Sequence, residues 1–352
     1  FSHNLCFNRV GNKTLFMGLL LMLLAVMATL LYQFNNVPSL APYQAYFSAT
    51  STPASHSFSK QNGPQSLAAT YVGTSTILIS DGQTSIMSDG FFTRPSFWDL
   101  MFGDISANKA LIKEALLEVD VHNLAAVIPV HSHHDHAMDA PEVAKQTGAM
   151  LVGSESSANI ARGWGLDENQ IQVVQPQQVL QFGQFKVRLI ASEHAAVPEF
   201  IEKLTGAGQT INNPLSFPAT LSDFKEGGSY SIFIEHPLGN VLIQGSAGFK
   251  EGALKGIKAD VVFLGIGGLG KKPASYQQEY FNEVVTSVGA TRVIPIHWDD
   301  FTRAFHKPLQ PMIKAVDDFD GAMNFLIDRT QNNKALSLHM MGKLDTLQLY
   351  GR

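Results

Sequence analysis

The stretch AAVIPVHSHHDHAMDAPEVAKQTG, residues 125–148, decides how the chain is read. Its opening run AAVIPV is continuously apolar and short, which fits a buried strand. The next six residues, HSHHDH, crowd four imidazoles and a carboxylate together as His131, His133, His134, Asp135 and His136. Helix signals follow. Asp139 with Glu142 three residues later fits a capping box, Pro141 fits the first turn and Gly148 fits the stop. The histidines therefore lie on a strand-to-helix loop, where a rigid scaffold commonly presents chemistry. Burying them unpaired would be costly, and nothing on a solvated surface calls for them together. Imidazole nitrogen and carboxylate oxygen are the donors that zinc takes where no thiolate is at hand. His131 and His133, two apart on an extended chain, point to one side and can reach one ion. Asp135 and His136 come half a turn later and can address a second.

Working outward, ATYVGTSTILIS and TSIMSD flank Asp81-Gly82 and read as a hairpin. NKALIKEALLEV is patterned as a helix. MLVGS, FKVRLIAS, YSIFIEH, NVLIQGS, DVVFLGIG and RVIPIH read as short, mostly buried strands, with helical stretches at SYQQEYFNEVVTSVG and PLQPMIKAVDDF. This mixture implies an α/β sandwich of sheets flanked by helices. Residues 195–228 are polar and poorly periodic, either a lid or substrate loop or a surface excursion. GIGGLG (265–270) lacks dinucleotide-fingerprint spacing and reads as a loop after a strand.

With 352 residues, 45% hydrophobic and 16% charged, the chain can bury a substantial core. A net charge of −5 without a long Lys/Arg run gives no footprint for nucleic acid. The single cysteine, Cys6, excludes an intrachain disulfide and precedes the apolar run, where a lipoprotein cysteine would follow one.

That apolar run defines the N-terminus. Residues 1–13 form a short basic flank carrying Arg9 and Lys13, and 14–34 are uncharged and apolar, close to the roughly 20 residues that cross a bilayer core. The basic flank places the remainder outside the cytoplasm, in the periplasm of a bacterium. The segment reads as a transmembrane anchor; a cleaved signal peptide, which would release the protein, is the rival reading. Residues 35–66, rich in Ser, Pro, Ala, Gln and Asn, read as a flexible tether. The catalytic domain then spans 67–352.

His-x-His-x-Asp-His, present as His131–His136, resembles the signature of the metallo-β-lactamase superfamily. Further landmarks follow in order over roughly residues 67–300: FKVRLIASEH ends in His194 and RVIPIH ends in His297. GTSTILI, SDGFFTRP and IPIHWDDF are most similar to the branch of ascorbate-phosphate lactonase and N-acylphosphatidylethanolamine phospholipase D. The resemblance implies a four-layer αββα sandwich with its site at one edge. It implies that His131, His133 and His194 hold one Zn2+, and that Asp135, His136 and His297 hold a second. It also implies a metal-bound hydroxide as nucleophile and a catalytic part for Asp135 in orienting it. Asp89 stands where that family places a site-supporting aspartate. Glu193 and Asp299, beside His194 and His297, are candidates to orient their imidazoles, with a solvated or capping carboxylate as the plainer reading.

One position departs from the pattern. Where the family usually has a Gly-Asp pair with a metal-bridging carboxylate, this chain has Gly245-Ser246. A hydroxyl is the weaker ligand, so Ser246 contacts a bridging hydroxide, or the enzyme works with one ion, or activity is lost. His134 occupies a variable motif position and faces away from the metals. His3, His56, His122, His236, His306 and His339 read as structural or exposed.

The sequence thus describes a membrane-tethered zinc hydrolase with one or two ions, acting on an ester, lactone or phosphodiester in a small molecule or lipid. The alternative is a non-catalytic metal- or ligand-binding protein on the same fold. A diiron redox protein is disfavoured, because such relatives carry glutamate where this chain has His133 and no flavin domain follows.

Overall fold

Two seven-stranded sheets face each other across a shared apolar core in the computed structural model, which describes residues 7–47, 66–175, 177–196, 202 and 205–351. The first sheet runs β14 (Thr346–Gly351), β1 (Ser66–Gly73), β2 (Thr76–Ser80), β3 (Ser85–Ser88), β4 (Leu124–Ile128), β5 (Met150–Gly153) and β6 (Ile171–Val173). The second runs β13 (Ser337–Leu338), β12 (Arg292–Ile296), β11 (Val261–Gly265), β10 (Val241–Gln244), β9 (Ser229–Glu235), β8 (Phe185–Ser192) and β7 (Leu180–Phe182). Each sheet is antiparallel on one side and parallel on the other, the change falling at β3 in the first and at β10 in the second.

Both faces of the first sheet are covered, which explains why its strands read as unbroken apolar runs. Ile77 and Ile79 enter the core between the sheets, whereas Leu78 between them packs toward the outer helices. Ile128 and Val127 divide in the same way. Helices Lys109–Glu118, Ala140–Thr147 and Glu155–Trp164 close the outer face of this sheet. Ala274–Phe281 and Phe319–Gln331 contribute Tyr280, Phe281, Phe319 and Met323 to the core of the second sheet. The result is the four-layer αββα arrangement.

Several local expectations change. ATYVGTSTILIS is two strands rather than one, because the chain turns at Gly73 and Thr74, with φ of 123° and 54°. PLQPMIKAVDDF forms no helix. Pro308 and Pro311 remove two amide donors, Pro311 bridges to Asp299, and the helix starts only at Phe319, capped by the Asp318 side chain. The helix after the histidine cluster has its proline and its left-handed Gly148 stop, but no capping box. The Asp139 carboxylate instead accepts hydrogen bonds from the amides of Phe92 and Thr93 (2.7 and 2.6 Å) and from the Thr93 hydroxyl (2.7 Å).

Residues 36–47 are not a loose tether. The Lys314 amide donates to the Asn36 carbonyl (2.9 Å), and buried Tyr43 donates to Asp320 (2.8 Å). Phe47 pairs with Met340. Residues 48–65, with His56, and residues 1–6, with His3 and Cys6, lie outside the described residues. A helix covers Phe7–Asn35, and its described side chains from Leu15 to Thr29 are all exposed. Among the described residues no helix is long and apolar enough to cross a membrane. The described part of 195–228 is more than a surface excursion: Ile211, Ala219, Leu221 and Phe224 join Phe91, Leu100, Ile105 and Ile160 in a separate small core.

Burial pushes the Asp139 carboxyl up to about 6, against the donors that favour its charge. A group raised in the folded state contributes stability below its unfolded value, near pH 4, and that contribution is lost as pH rises through about 6. Asp139→Asn can keep all three contacts and should abolish this decline, worth on the order of 3 kcal/mol. Denaturant unfolding of both proteins from pH 4 to 7 checks it; parallel curves would refute the assignment.

Candidate metal centre

The end of β4 is gripped from both sheets. Val130 donates its amide to Asp89 Oδ1 (2.9 Å), and its carbonyl accepts from the Tyr230 amide (2.9 Å). His131 follows directly. His133, still extended, precedes the single turn His134–Ala137, which brings Asp135 and His136 round toward it. His194 stands two residues beyond β8, and His297 one residue beyond β12.

Six donor side chains thus arrive from three strand ends. They fall into two groups that could hold a metal ion, His131/His133/His194 and Asp135/His136/His297, each with its ligand atoms within 4.8 Å of one another. In the first group the rings meet edge to face at 4.7–5.0 Å. In the second, Asp135 Oδ2 lies 3.3 Å from His297 Nε2 and 3.5 Å from His136 Nε2, and the two Nε2 atoms are 3.3 Å apart. The groups adjoin, with the His131 and His136 rings 3.9 Å apart.

The chemistry of these donors fits a cation. Burial, together with the imidazoles around them, holds His131 and His133 well below the usual histidine range. Neutral rings present lone pairs, and His131 Nε2 and His133 Nδ1 are turned toward each other at 3.0 Å, while His131 Nδ1 and His133 Nε2 find no hydrogen-bond partner. Burial alone would raise Asp135, but His136, His134 and His297 keep it well below the carboxylate range, so it is ionised. Burial opposes the charged form of His136 too, and nearby Asp135 and Asp89 outweigh it.

The supporting contacts are unequal. Asp89 Oδ2 takes His136 Nδ1 at 2.7 Å, which directs Nε2 to the second group. His194 Nδ1 faces the Ala195 carbonyl at 2.9 Å, leaving Nε2 for the first group. Glu193 is exposed and makes no contact with that ring among the described residues. Asp299 also leaves the imidazole beside it alone. It accepts from the Thr74 amide (2.6 Å), Tyr71 hydroxyl (3.0 Å) and Arg94 (2.9 Å), while the Thr74 carbonyl accepts the His297 amide (2.6 Å). Asp299 therefore fixes His297 through the backbone.

Ser246 lines the same cavity, and its hydroxyl accepts the Ala195 amide at 3.0 Å, tying the end of β10 to the loop that carries His194. His134 belongs to neither group; it sits edge-on between Phe91 and Phe301. His236 is buried against Asp81 and His122 is exposed beside Asp120. The loop 265–270 does reach the site: a side-chain carbon on Gly267 would come within 2.9 Å of His297 Nδ1. Arg94, Tyr71 and Thr74 are the supports that sequence reasoning missed. Arg94 lies in SDGFFTRP, but its partner Asp299 is 205 positions away and nothing local announces the pair. The cavity over the metal groups measures about 660 Å³ and is walled largely by Leu221, Phe224, Phe301, Met312 and Val316, with Lys271 and Lys272 on its edge.

No family model matches the chain. A curated relative, the UPF0173 metal-dependent hydrolase of Heliobacterium modesticaldum, is 25% identical over 239 residues, 67% of this chain and 84% of the relative. Igni18, described as a novel metallo hydrolase of Ignicoccus hospitalis, has a solved structure similar at TM-score 0.50 and 13% identity, covering 82% of this chain and 100% of that one. A mutant of the β-hydroxylase CmlA is similar at TM-score 0.50 and 13% identity, over 80% of this chain and 54% of that one. The solved structures bear on fold alone, a two-sheet α/β sandwich. Fold, donor set and curated likeness agree: a two-sheet αββα sandwich carries two groups that could hold a metal ion, and the chain is similar to a metal-dependent hydrolase.

Asp89→Ala should weaken the ion at Asp135/His136/His297 about 10–100-fold and spare the ion at His131/His133/His194. Chelator competition followed by elemental analysis measures this. Equal loss from both groups would refute the placement of Asp89.

Proposed function

We propose that the chain is a zinc hydrolase, tethered to a membrane through residues 14–34 with its catalytic body outside the cytoplasm, that cleaves an ester, lactone or phosphodiester. The observation that carries the reading is the pair of adjoining donor groups at the floor of one apolar cavity. Zinc is favoured because the donors are nitrogen and oxygen without thiolate, and because His133 supplies an imidazole where iron redox relatives carry glutamate. When bound, such an ion polarises the bond to be cleaved and lowers the pKa of water to about 7.

The chain's own residues do the rest. Ionised Asp135 can accept a proton from an attacking water beside His297 and pass it to the leaving group. Asp89 and the Ala195 carbonyl hold two imidazoles in fixed orientation, so little rearrangement is needed on reaction. Leu221, Phe224 and Phe301 give the cavity an apolar lining, which strengthens the electrostatics of a site beneath bound substrate. The lactonase and phospholipase D branch supplies the favoured substrates by motif resemblance. The tether is supported by the uncharged apolar run and by the exposed side chains of the helix that carries it.

Ser246 favours a second reading, a metal-binding protein without turnover. It removes a carboxylate beside the second group while the first keeps its three imidazoles. Elemental analysis combined with a panel of phosphodiesters, lactones and β-lactams separates the two, since full loading without hydrolysis supports the second. His131→Ala and His133→Ala should each abolish turnover and release the tighter ion, and normal turnover in both would sink the hydrolase. Ser246→Asp should raise saturating zinc content toward two ions per chain; an unchanged content would show that the serine does not limit loading.

A further inference from the structure

Outside the Phe7–Asn35 helix, few large apolar side chains are exposed among the described residues, and half of them share one turn: Phe97, Trp98, Met101 and Phe102 of the helix Phe97–Phe102. Trp98 is 68% and Phe102 79% exposed, and their rings stack at 5.9 Å, with Phe97 against Trp98 at 5.4 Å. Single exposed apolar residues are ordinary, but a stacked aromatic cluster left in water marks a contact surface. The opposite side of this helix buries Leu100 in the small core with Leu221 and Phe224, two residues of the cavity wall. A paired bridge between Ile105 and Ala219 fastens the segment after the helix to that wall.

The other wall leads to the N-terminal helix. Met312, Val316 and Asp317 line the cavity, and Lys314 among them donates its amide to Asn36, the residue directly after the apolar helix. Val37 and Val316 are themselves exposed at this junction. Because residues 36–47 are clamped to the body, the apolar helix leaves from a fixed place on the cavity rim. The aromatic turn thus backs onto one cavity wall, and the root of the apolar helix adjoins the segment that forms another.

We infer that the Phe97–Phe102 helix is a second membrane contact, lying in the interfacial layer of the bilayer that holds the N-terminal helix, so that the cavity mouth is seated on the membrane surface. Trp and Phe suit that layer, where an aromatic body meets hydrocarbon and headgroup together. A bilayer satisfies both exposed surfaces at once, whereas a second copy of the chain would cover the aromatic turn and leave the helix in water. The inference rests on the tethering proposed above.

The test uses the full chain reconstituted into phosphatidylcholine vesicles with brominated acyl chains. The chain has three tryptophans, and Trp298 is buried while Trp98 is the exposed one. Co-flotation with vesicles first reports on tethering. If the chain does not float, the tether fails, and the seating with it. In floated protein we expect the brominated lipid to quench indole emission, and Trp98→Phe, which keeps the apolar turn, to lose most of that quenching. Floated protein whose Trp98 emission is untouched by brominated lipid would overturn the seating while leaving the tether standing. Shielding of Trp98 from both brominated lipid and aqueous acrylamide would overturn it in favour of self-association.

Discussion

Five imidazoles and one carboxylate lie within a few ångströms of each other at this site, ring nitrogen turned toward ring nitrogen. Neutral rings at His131 and His133 set Nε2 and Nδ1 3.0 Å apart, close enough for one cation to take a lone pair from each. The surrounding structure holds that arrangement against its own repulsion. Three residues of the scaffold, Thr74, Asp89 and His297, adopt left-handed backbone with φ of 53–55°. Each such residue costs on the order of 1–3 kcal/mol and persists only where neighbours over-determine it. Here they do: Asp299 fixes Thr74, Thr74 fixes His297, and Asp89 spans from Val130 to His136.

This scaffold explains why the groups come from strand ends. The parallel region of the second sheet sets the end of β12, which carries His297, beside β11, and Gly267 after β11 admits the His297 ring only because it has no side chain. The first sheet supplies the histidine run through β4. The two halves of the site are therefore independent in sequence and joined by contacts between the sheets, among them the Tyr230–Val130 and His297–Thr74 backbone hydrogen bonds. Buried Arg94–Asp299 crosses that join. Removing one partner alone would leave a buried charge unpaired, at a cost of about 3–5 kcal/mol.

The site was legible where chemistry is concentrated in sequence and illegible where it is spread out. Six residues of HSHHDH announced their purpose, and the strands ending at His194 and His297 were visible as apolar runs. Glu193 and Asp299 are near the two histidines in sequence, but Glu193 is exposed and the Asp299 carboxylate is taken by Thr74, Tyr71 and Arg94. The partner of His194 is a backbone carbonyl, which has no sequence signature. Asp139 illustrates competition: its spacing to Glu142 suits a cap, yet the buried amides of Phe92 and Thr93 claim the carboxylate first. The stretch 308–319 has helical apolar spacing, but two prolines and a bridge to Asp299 override it. The strap at 36–47 is proline-bearing like a linker, but its Leu40, Tyr43, Tyr46 and Phe47 all pack against the core, and these residues are the sequence hint of docking.

Fold by itself does not fix the reaction, since a β-hydroxylase shares this architecture. Charge narrows it. The six donors contribute a single formal negative charge, that of Asp135, and neighbouring Ser246 adds none. A site holding one divalent ion would then carry a net charge of about +1, and with two ions about +3. An aspartate at 246 would lower each by one. Serine rather than aspartate thus acts in opposite directions: it makes the second ion harder to bind, and it leaves a loaded site more electropositive toward an oxyanion developing in a low-dielectric cavity. Catalysis responds to the second effect and metal content to the first, so a chain with serine at this position can load poorly and still stabilise negative charge well once loaded.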